Sequence, residues 1–231
     1  MTDLIDTTEM YLRTILELEE EGITPLRARI SERLDHSGPT VSQTVARMER
    51  DGLVVVTEDR HLELTGEGRQ KAVQVMRKHR LAERLLHDVI GLEWEYVHEE
   101  ACRWEHVMSD RVEKRILELI DNPVSSPYGN PIPGLEELGH KPRGVFRSEV
   151  VDVVSVFTDG ALDEFEAVIS RLAEPVQVNP EVLQQFIAAD VLPGKHAKFV
   201  REGRNVTITV AGSEKSLDLS KDLAAHIFVT L

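Results

Sequence analysis

The sequence predicts a multidomain α+β protein: an N-terminal winged helix-turn-helix, a helical middle region rich in metal-ligand side chains, and a small β-rich C-terminal domain. Three observations predict it. At roughly 100 to 200 residues per domain, a chain of 231 residues makes two domains, or three small ones. Helical periodicity fills residues 7–120, interrupted once by a short alternating hairpin. Four prolines then crowd residues 121–134, and beyond them the pattern turns to short strand-like runs between turn residues.

Each element has its own signal. Met10, Tyr11, Ile15 and Leu18 share one face of a first amphipathic helix over 7–21, stopped by Gly22. Pro25 opens a second helix over 26–34, which breaks at Asp35-His36-Ser37-Gly38. Pro39 then sits in the first turn of a third over 40–50, ended by Asp51-Gly52. Leu53-Val54-Val55-Val56 and His61-Leu62-Glu63-Leu64, on either side of Glu58-Asp59-Arg60, read as a two-stranded wing. Helices are expected over 68–90, 94–108 and 110–120. Pro123, Pro127, Pro131 and Pro133 let no helix persist, so 121–134 reads as a tether between domains. Residues 140–144 carry no clear pattern, and strands are expected over 150–157, 198–200, 206–210 and 217–219.

Composition narrows the class. With 41% hydrophobic and 29% charged residues the chain reads as soluble and globular, and no run approaches the roughly 18 apolar residues of a membrane-spanning helix. Residues 1–10 carry three acids and no apolar stretch, unlike a secretory signal, so a cytoplasmic location is expected. The single cysteine, Cys102, agrees with a reducing compartment. A formal charge of −14 argues against nucleic acid as a partner. The window 24–60 nevertheless holds six arginines against six acids, so a basic face can sit inside an acidic chain.

Two sets of residues carry chemistry. In the helix-turn-helix, Ser37, Pro39, Thr40, Ser42 and Gln43 open the second helix, where side chains reach phosphates and base edges. Gln43 has the two-pronged amide that pairs with adenine. Arg27, Arg29, Arg47, Arg50 and, on the wing, Arg60 would clamp phosphates. The bland reading is a trihelical packing motif with solvated arginines.

On the helix expected over 94–108, His98, Cys102, Glu105 and His106 stand at i, i+4, i+7 and i+8, on one stripe. His79 and Glu83 form a further i, i+4 pair on the preceding helix, so there are donors for two metal sites. Singly, each is more ordinary as a surface histidine or a buried thiol. Together they favour a divalent metal, because a stripe of polar groups and a cysteine needs partners. A metal-dependent hydrolase is the alternative. His98-Glu99 begins like a zinc-protease helix, but Cys102 stands where that motif needs histidine. No phosphate-binding glycine loop and no Gly-x-Ser-x-Gly elbow occurs in the chain, so an enzyme is not expected.

Several blocks carry a resemblance to a known family. Asp6-Thr-Thr-Glu-Met-Tyr-Leu-Arg-Thr, Thr24-Pro-Leu-Arg-Ala-Arg-Ile, Ser37-Gly-Pro-Thr-Val-Ser-Gln-Thr-Val, Met76-Arg-Lys-His-Arg-Leu-Ala-Glu-Arg-Leu-Leu, Glu100-Ala-Cys-Arg-Trp-Glu-His-Val-Met and Gly129-Asn-Pro-Ile-Pro-Gly resemble the diphtheria toxin repressor and iron-dependent regulator family over residues 1–139. Glu174-Pro-Val-Gln177 and Asp222-Leu-Ala-Ala-His-Ile resemble its SH3-like barrel.

The resemblance implies domains at 1–73 (DNA-binding), 74–139 (dimerisation and metal-binding) and 140–231 (linker and barrel). It implies a homodimeric repressor activated by Fe2+, with Co2+, Ni2+, Mn2+ or Zn2+ able to substitute, that binds palindromic operators, at times as two dimers per operator. It also implies an activating site at Met10, Cys102, Glu105 and His106, and an ancillary site at His79, Glu83, His98, Glu174 and Gln177. Arg80, Ser126 and Asn130 fall where the family holds an anion. Manganese-sensing relatives use harder oxygen donors, so Met10 and Cys102 favour iron over a manganese-responsive regulator.

Overall fold

The computed structural model describes residues 6–140 and 146–231, which fall into two compact units. One holds the described part of Met1–Ala82, Ala101–Asn122 and Ile132–Arg143; the other holds Glu83–Glu100, Pro123–Pro131 and that of Gly144–Leu231. The expectations for residues 1–10 and 140–144 concern, in part, residues 1–5 and 141–145, which lie outside the described residues.

In the first unit, α1 (Thr7–Glu20) starts at Asp6, whose carboxylate caps the helix by accepting from Thr8 N at 2.8 Å and Glu9 N at 3.2 Å. Then follow α2 (Arg27–Leu34), α3 (Gly38–Arg50) and a wing of β1 (Val54–Val56) paired antiparallel with β2 (Leu62–Leu64). Ser37 caps α3, with Pro39 in its first turn, where a missing N–H costs nothing. Tyr11, Leu12, Ile15, Leu18, Ile30, Val41, Val45, Met48, Leu53 and Leu62 close one buried core, so the four expected elements do form a winged helix-turn-helix. The wing is held close to α4 (Gly66–Leu85): a Cβ on Gly68 would fall 1.9 Å from the Leu53 carbonyl oxygen.

The chain continues through α4 into a π-helical turn at Leu86–Ile90, then α5 (Trp94–Trp104) and α6 (Asp110–Leu119). The sequence expects α5 to run to 108. It ends at Trp104 instead, with Glu105 and His106 in the turn that follows. The backbone still folds back there: Glu105 N donates to Ala101 O at 3.0 Å and Met108 N to Trp104 O at 3.1 Å.

The proline-rich segment is not a free tether. Ser126, Tyr128, Asn130 and Ile132 are all buried. Ser126 N donates to Asn130 O (2.8 Å) and Gly129 N to Ser126 O (3.0 Å), so prolines that forbid a helix here shape a tight loop. Within the second unit, Leu172 N donates to Tyr128 O at 2.9 Å, and a Cβ on Gly129 (φ 84°) would fall 2.0 Å from Ser170 O. Only glycine fits that approach.

The second unit carries a six-stranded antiparallel sheet in the order β3-β8-β4-β5-β6-β7, in keeping with an SH3-like barrel. Its strands are β3 (Val151–Asp152), β4 (Glu164–Leu172), β5 (His196–Glu202), β6 (Asn205–Val210), β7 (Ser216–Ser220) and β8 (Ile227–Thr230). Three strand expectations hold with longer bounds; that over 150–157 holds only at Val151–Asp152, because Asp152 caps a helix, α7 (Val153–Asp159), by accepting from Ser155 N at 2.8 Å. Val153, Val156 and Phe157 are buried at helical spacing, so a β-branched run became one helical face. Short helices α8 (Glu174–Gln177), α9 (Pro180–Ala188) and α10 (Lys221–Ala224) complete the unit.

Candidate metal centre and nucleic-acid interface

Within the first unit, one face of α1 meets the end of α5. Arg13 lies three residues from Met10 on that face and is almost fully buried. Its Nη1 donates to Glu105 Oε2 at 2.5 Å and to Cys102 Sγ at 3.5 Å, while Nε lies 2.9 Å from Glu17 Oε1. His79 Nδ1 lies 2.6 Å from the same Glu105 oxygen and 2.9 Å from Arg13 Nη1. His106 Nδ1 pairs with Glu9 Oε2 at 2.7 Å, and its Nε2 lies 3.3 Å from Glu105 Oε1. Glu105 and His106 are in direct contact, and Arg13 links Glu105 to Cys102. Met10 stands on the adjoining turn of α1, packed at the edge of the core, and its carbonyl accepts from Thr14 Oγ1 at 3.0 Å. His79, expected at the ancillary site, here pairs with Glu105.

The electrostatics follow from burial and this pairing. Burial alone would push the Glu105 carboxyl up; the Arg13 guanidinium, with His79 and His106, more than reverses that and holds it below the usual range. Burial would lower His106, but Glu9 and Glu105 raise it above the ordinary imidazole value. Arg13 itself is driven further up, because Glu105, Cys102 and Glu17 outweigh its desolvation.

Within the second unit, His98 Nδ1 lies 3.5 Å from Glu83 Oε1, and both residues are buried. Glu174 and Gln177, on α8, are buried too. Gln177 Nε2 and Asn130 Nδ2 both donate to Leu172 O, at 2.7 and 2.9 Å, which leaves Gln177 Oε1 and Asn130 Oδ1 buried with no hydrogen-bond partner. A buried amide oxygen without a partner, such as Gln177 Oε1, is costly unless a cation or donor faces it, which suits the ligand role expected of Gln177. Of the anion residues, Arg80 is fully buried and forks onto Glu20, with Nη1–Oε1 at 3.0 Å and Nη2–Oε2 at 2.6 Å. Ser126 Oγ accepts from Tyr128 N at 3.2 Å.

On the DNA-binding side, Ser37, Pro39, Thr40, Ser42, Gln43, Arg47 and Arg50 all lie exposed along α3 and its cap, while Val41, Thr44, Val45 and Met48 bury the opposite face. Arg29 is exposed but paired with Glu32 at 3.0 Å; Arg27 is half-buried; Arg47 Nη2 donates to Thr8 Oγ1 at 3.4 Å. Arg60 takes a left-handed backbone (φ 68°) at the wing tip, where its N–H donates to Thr57 O at 2.9 Å.

Sequence reasoning missed Arg13, Glu9 and His61. No motif singles out the first two, although Arg13 and Glu17 at i, i+4 on the same helix face as Met10 are a usable signal. On the wing, His61 Nε2 lies 2.9 Å from Glu63 Oε1 and Nδ1 lies 2.7 Å from Asp59 Oδ1. The Glu63 contact first, then Asp59, raises the imidazole above its ordinary 6.5. A raised value means that the stabilisation is complete below the ordinary value and lost as pH rises through the folded-state value. Operator affinity at saturating metal is therefore expected to fall as the wing loses this positive charge, with the midpoint moved to lower pH by Glu63→Gln. A pH profile of binding that Glu63→Gln leaves in place would count against a wing role for His61.

A winged helix-turn-helix whose first helix also faces a buried group of sulfur, carboxylate and imidazole donors defines a metal-responsive DNA-binding regulator. Residues 3–62 match the family model for the iron dependent repressor N-terminal DNA binding domain, and residues 65–134 that for the iron dependent repressor metal binding and dimerisation domain. The chain belongs to the iron-dependent repressor family. It is 56% identical over 215 residues to the iron-dependent repressor IdeR of Mycobacterium tuberculosis, covering 93% of each chain. It is 57% identical over 230 residues to the diphtheria toxin repressor of Corynebacterium glutamicum, covering 99% of this chain and 98% of that one. Among solved structures, the T. acidophilum IdeR crystal structure matches with a TM-score of 0.76 at 30% identity, over 98% of both chains. A manganese-dependent transcriptional repressor in complex with manganese matches in fold, with a TM-score of 0.80 at 23% identity over 97% of this chain and 99% of that one.

Proposed function

We propose that this chain is a cytoplasmic, iron(II)-activated transcriptional repressor that binds palindromic operators of iron-uptake and related genes as a homodimer, and that two dimers can share one operator. One observation carries the reading: α1 contributes Tyr11, Leu12 and Ile15 to the core of the DNA-binding fold, while its Arg13, paired with Glu17, touches Cys102 and Glu105 at the end of α5. The family is one of repressors, not enzymes, and its second domain is described as a dimerisation domain, which agrees with a two-fold operator.

Met10, Cys102, Glu105 and His106 would hold the activating ion. Two sulfurs, a carboxylate and an imidazole make a mixed soft and hard set that suits ferrous iron and also accepts Co2+, Ni2+, Zn2+ and, less well, Mn2+. The ion supplies a positive centre shared between α1 and the end of α5; Glu105 contributes charge, and His106, once neutral, a nitrogen. By holding one ion, Met10 on α1 and Cys102, Glu105 and His106 at the end of α5 would favour the conformation in which paired α3 helices fit successive major grooves. In this reading, which follows the resemblance, His79, Glu83, His98, Glu174 and Gln177 would serve an ancillary ion, and Arg80, Ser126 and Asn130 an anion.

An anaerobic titration of palindromic duplex DNA, with and without ferrous ion, tests the function. Metal-dependent binding is expected, and binding indifferent to metal, or none, would refute it; the mass of the complex counts dimers per duplex. Glu174→Ala with Gln177→Ala is expected to remove one bound metal per chain with a small effect on DNA affinity, and an unchanged metal count would exclude those two as ligands. Within the interface, Gln43→Ala is expected to relax base preference at one position by about 1 to 3 kcal/mol, whereas Arg50→Ala weakens all sequences and flattens the salt dependence. Equal loss of preference in both variants would contradict that division.

A further inference from the structure

The Arg13 side chain stands where a cation is wanted. A single nitrogen, Nη1, is 2.5 Å from a Glu105 oxygen and 3.5 Å from Cys102 Sγ, so an oxygen and a sulfur face one positive group. Nη2 adds a second contact to the same sulfur at 3.6 Å. A first-row divalent ion bound to the Cys102 sulfur and a Glu105 oxygen would sit at about 2.3 Å and about 2.0 to 2.2 Å from them. An ion that takes Oε2 and Sγ competes with Nη1 for the same two atoms, and the two charges have the same sign. Arg13 also has somewhere else to go. Its Nε already lies 2.9 Å from Glu17 Oε1, at i, i+4 on α1, so the guanidinium can turn onto Glu17 and keep a carboxylate partner in a buried setting.

We propose that Arg13 is a built-in competitor of the activating metal: its guanidinium neutralises Glu105 and engages Cys102 in the metal-free chain, and a divalent ion is bound only as Arg13 gives up both for Glu17. The inference rests on reading Cys102, Glu105 and His106 as the activating site. Its consequence is a set point. Part of the binding energy of every ion is consumed in dislodging Arg13, so the site stays unfilled at trace metal and loads only when the metal is plentiful. The opposite role is equally definite: an Arg13 that merely orients Glu105 would favour metal binding, and its loss would weaken it.

Cobalt(II) is the probe, because a cysteine thiolate bound to it gives a near-ultraviolet charge-transfer band. Wild type, Arg13→Gln, Arg13→Lys and Cys102→Ser are titrated with Co2+ at pH 7, each full-length. Arg13→Gln is expected to bind Co2+ about tenfold tighter than wild type, with Arg13→Lys between them, and to unfold at a lower temperature than wild type only when metal-free. Unchanged or weaker cobalt binding in Arg13→Gln, with the wild-type band present, would overturn the proposal and leave the site reading intact. A wild-type band that is missing, or that survives in Cys102→Ser, would instead remove the site reading and the proposal with it. Should Arg13→Gln fail to fold, Arg13→Lys and the guanidinium 15N resonances of the wild type on addition of Zn2+ decide. Tighter cobalt binding by the lysine variant and shifted Arg13 signals support displacement; weaker or equal binding, or unmoved signals, overturn it.

Discussion

Cys102→Ala is expected to abolish metal-activated operator binding, with a loss of about a hundredfold or more at a fixed ferrous concentration. Loss of groups that merely orient a metal's ligands typically costs 10- to 100-fold in affinity, and a thiolate ligand contributes more than they do. The fold should survive, because Cys102 is only partly buried and alanine fits its place at the end of α5. What the substitution removes is the sulfur that Arg13 touches from α1, and with it one of the groups through which α1 and α5 can share a charge. Fluorescence anisotropy of a labelled duplex under anaerobic conditions, beside far-ultraviolet circular dichroism, gives the answer. A variant that still binds DNA within about threefold of wild type at the same iron concentration would show that the sulfur is not a ligand.

The largest effect on stability is expected from a second buried charge group. Arg77 and Glu113 are both almost wholly inaccessible, with Nε–Oε1 at 2.6 Å, and Arg77 Nη1 also donates to Gly134 O at 2.7 Å and to Glu137 at 2.8 Å. Gly134, at φ 66°, lets this happen: a Cβ there would fall 2.6 Å from Nη1 and 2.5 Å from a Val73 methyl. Glu113→Ala leaves Nε and Nη2 of the buried guanidinium without their carboxylate and should cost about 3 to 5 kcal/mol. Glu137→Ala, at the rim with 35% of its side chain exposed, should cost about 1 kcal/mol or less. Replacing both Arg77 and Glu113 by methionine should recover most of the loss, since apolar groups of similar volume need no partner. Urea unfolding followed by circular dichroism measures all three, and equal costs for Glu113→Ala and Glu137→Ala would show that burial is not what decides.

What could be read from the chain alone follows the range of the interaction. Helix limits such as those of α1, α2 and α6 are set by local caps and periodicity, and the expected bounds differ from the observed ones by a residue or so. The exposed face of α3 is legible because Val41, Thr44, Val45 and Met48 mark the other side. Strands β4 and β8 were not found. The nine residues of β4 alternate only loosely, and β8 is a short apolar run whose partners lie some 60 residues away in sequence. The donor stripe of α5 was visible as a spacing, whereas the part of Arg13 was not, because its contacts with Cys102 and Glu105 span 89 and 92 residues. Nothing local marks a positive side chain that folding will bury.

Helix α1, 14 residues and about 21 Å long at 1.5 Å per residue, belongs to two structures at once. Tyr11, Leu12, Ile15 and Leu18 are wedged among Ile30, Val41, Val45 and Met48, the inward side chains of α2 and α3. Interiors packed to crystal density do not absorb small displacements by compressing. A rotation of α1 by a few degrees, made to suit whichever cation holds Glu105, must therefore carry the helix-turn-helix with it as a rigid crank. The chemistry of one buried carboxylate would thus be read out mechanically, as the angle at which α3 is offered to DNA.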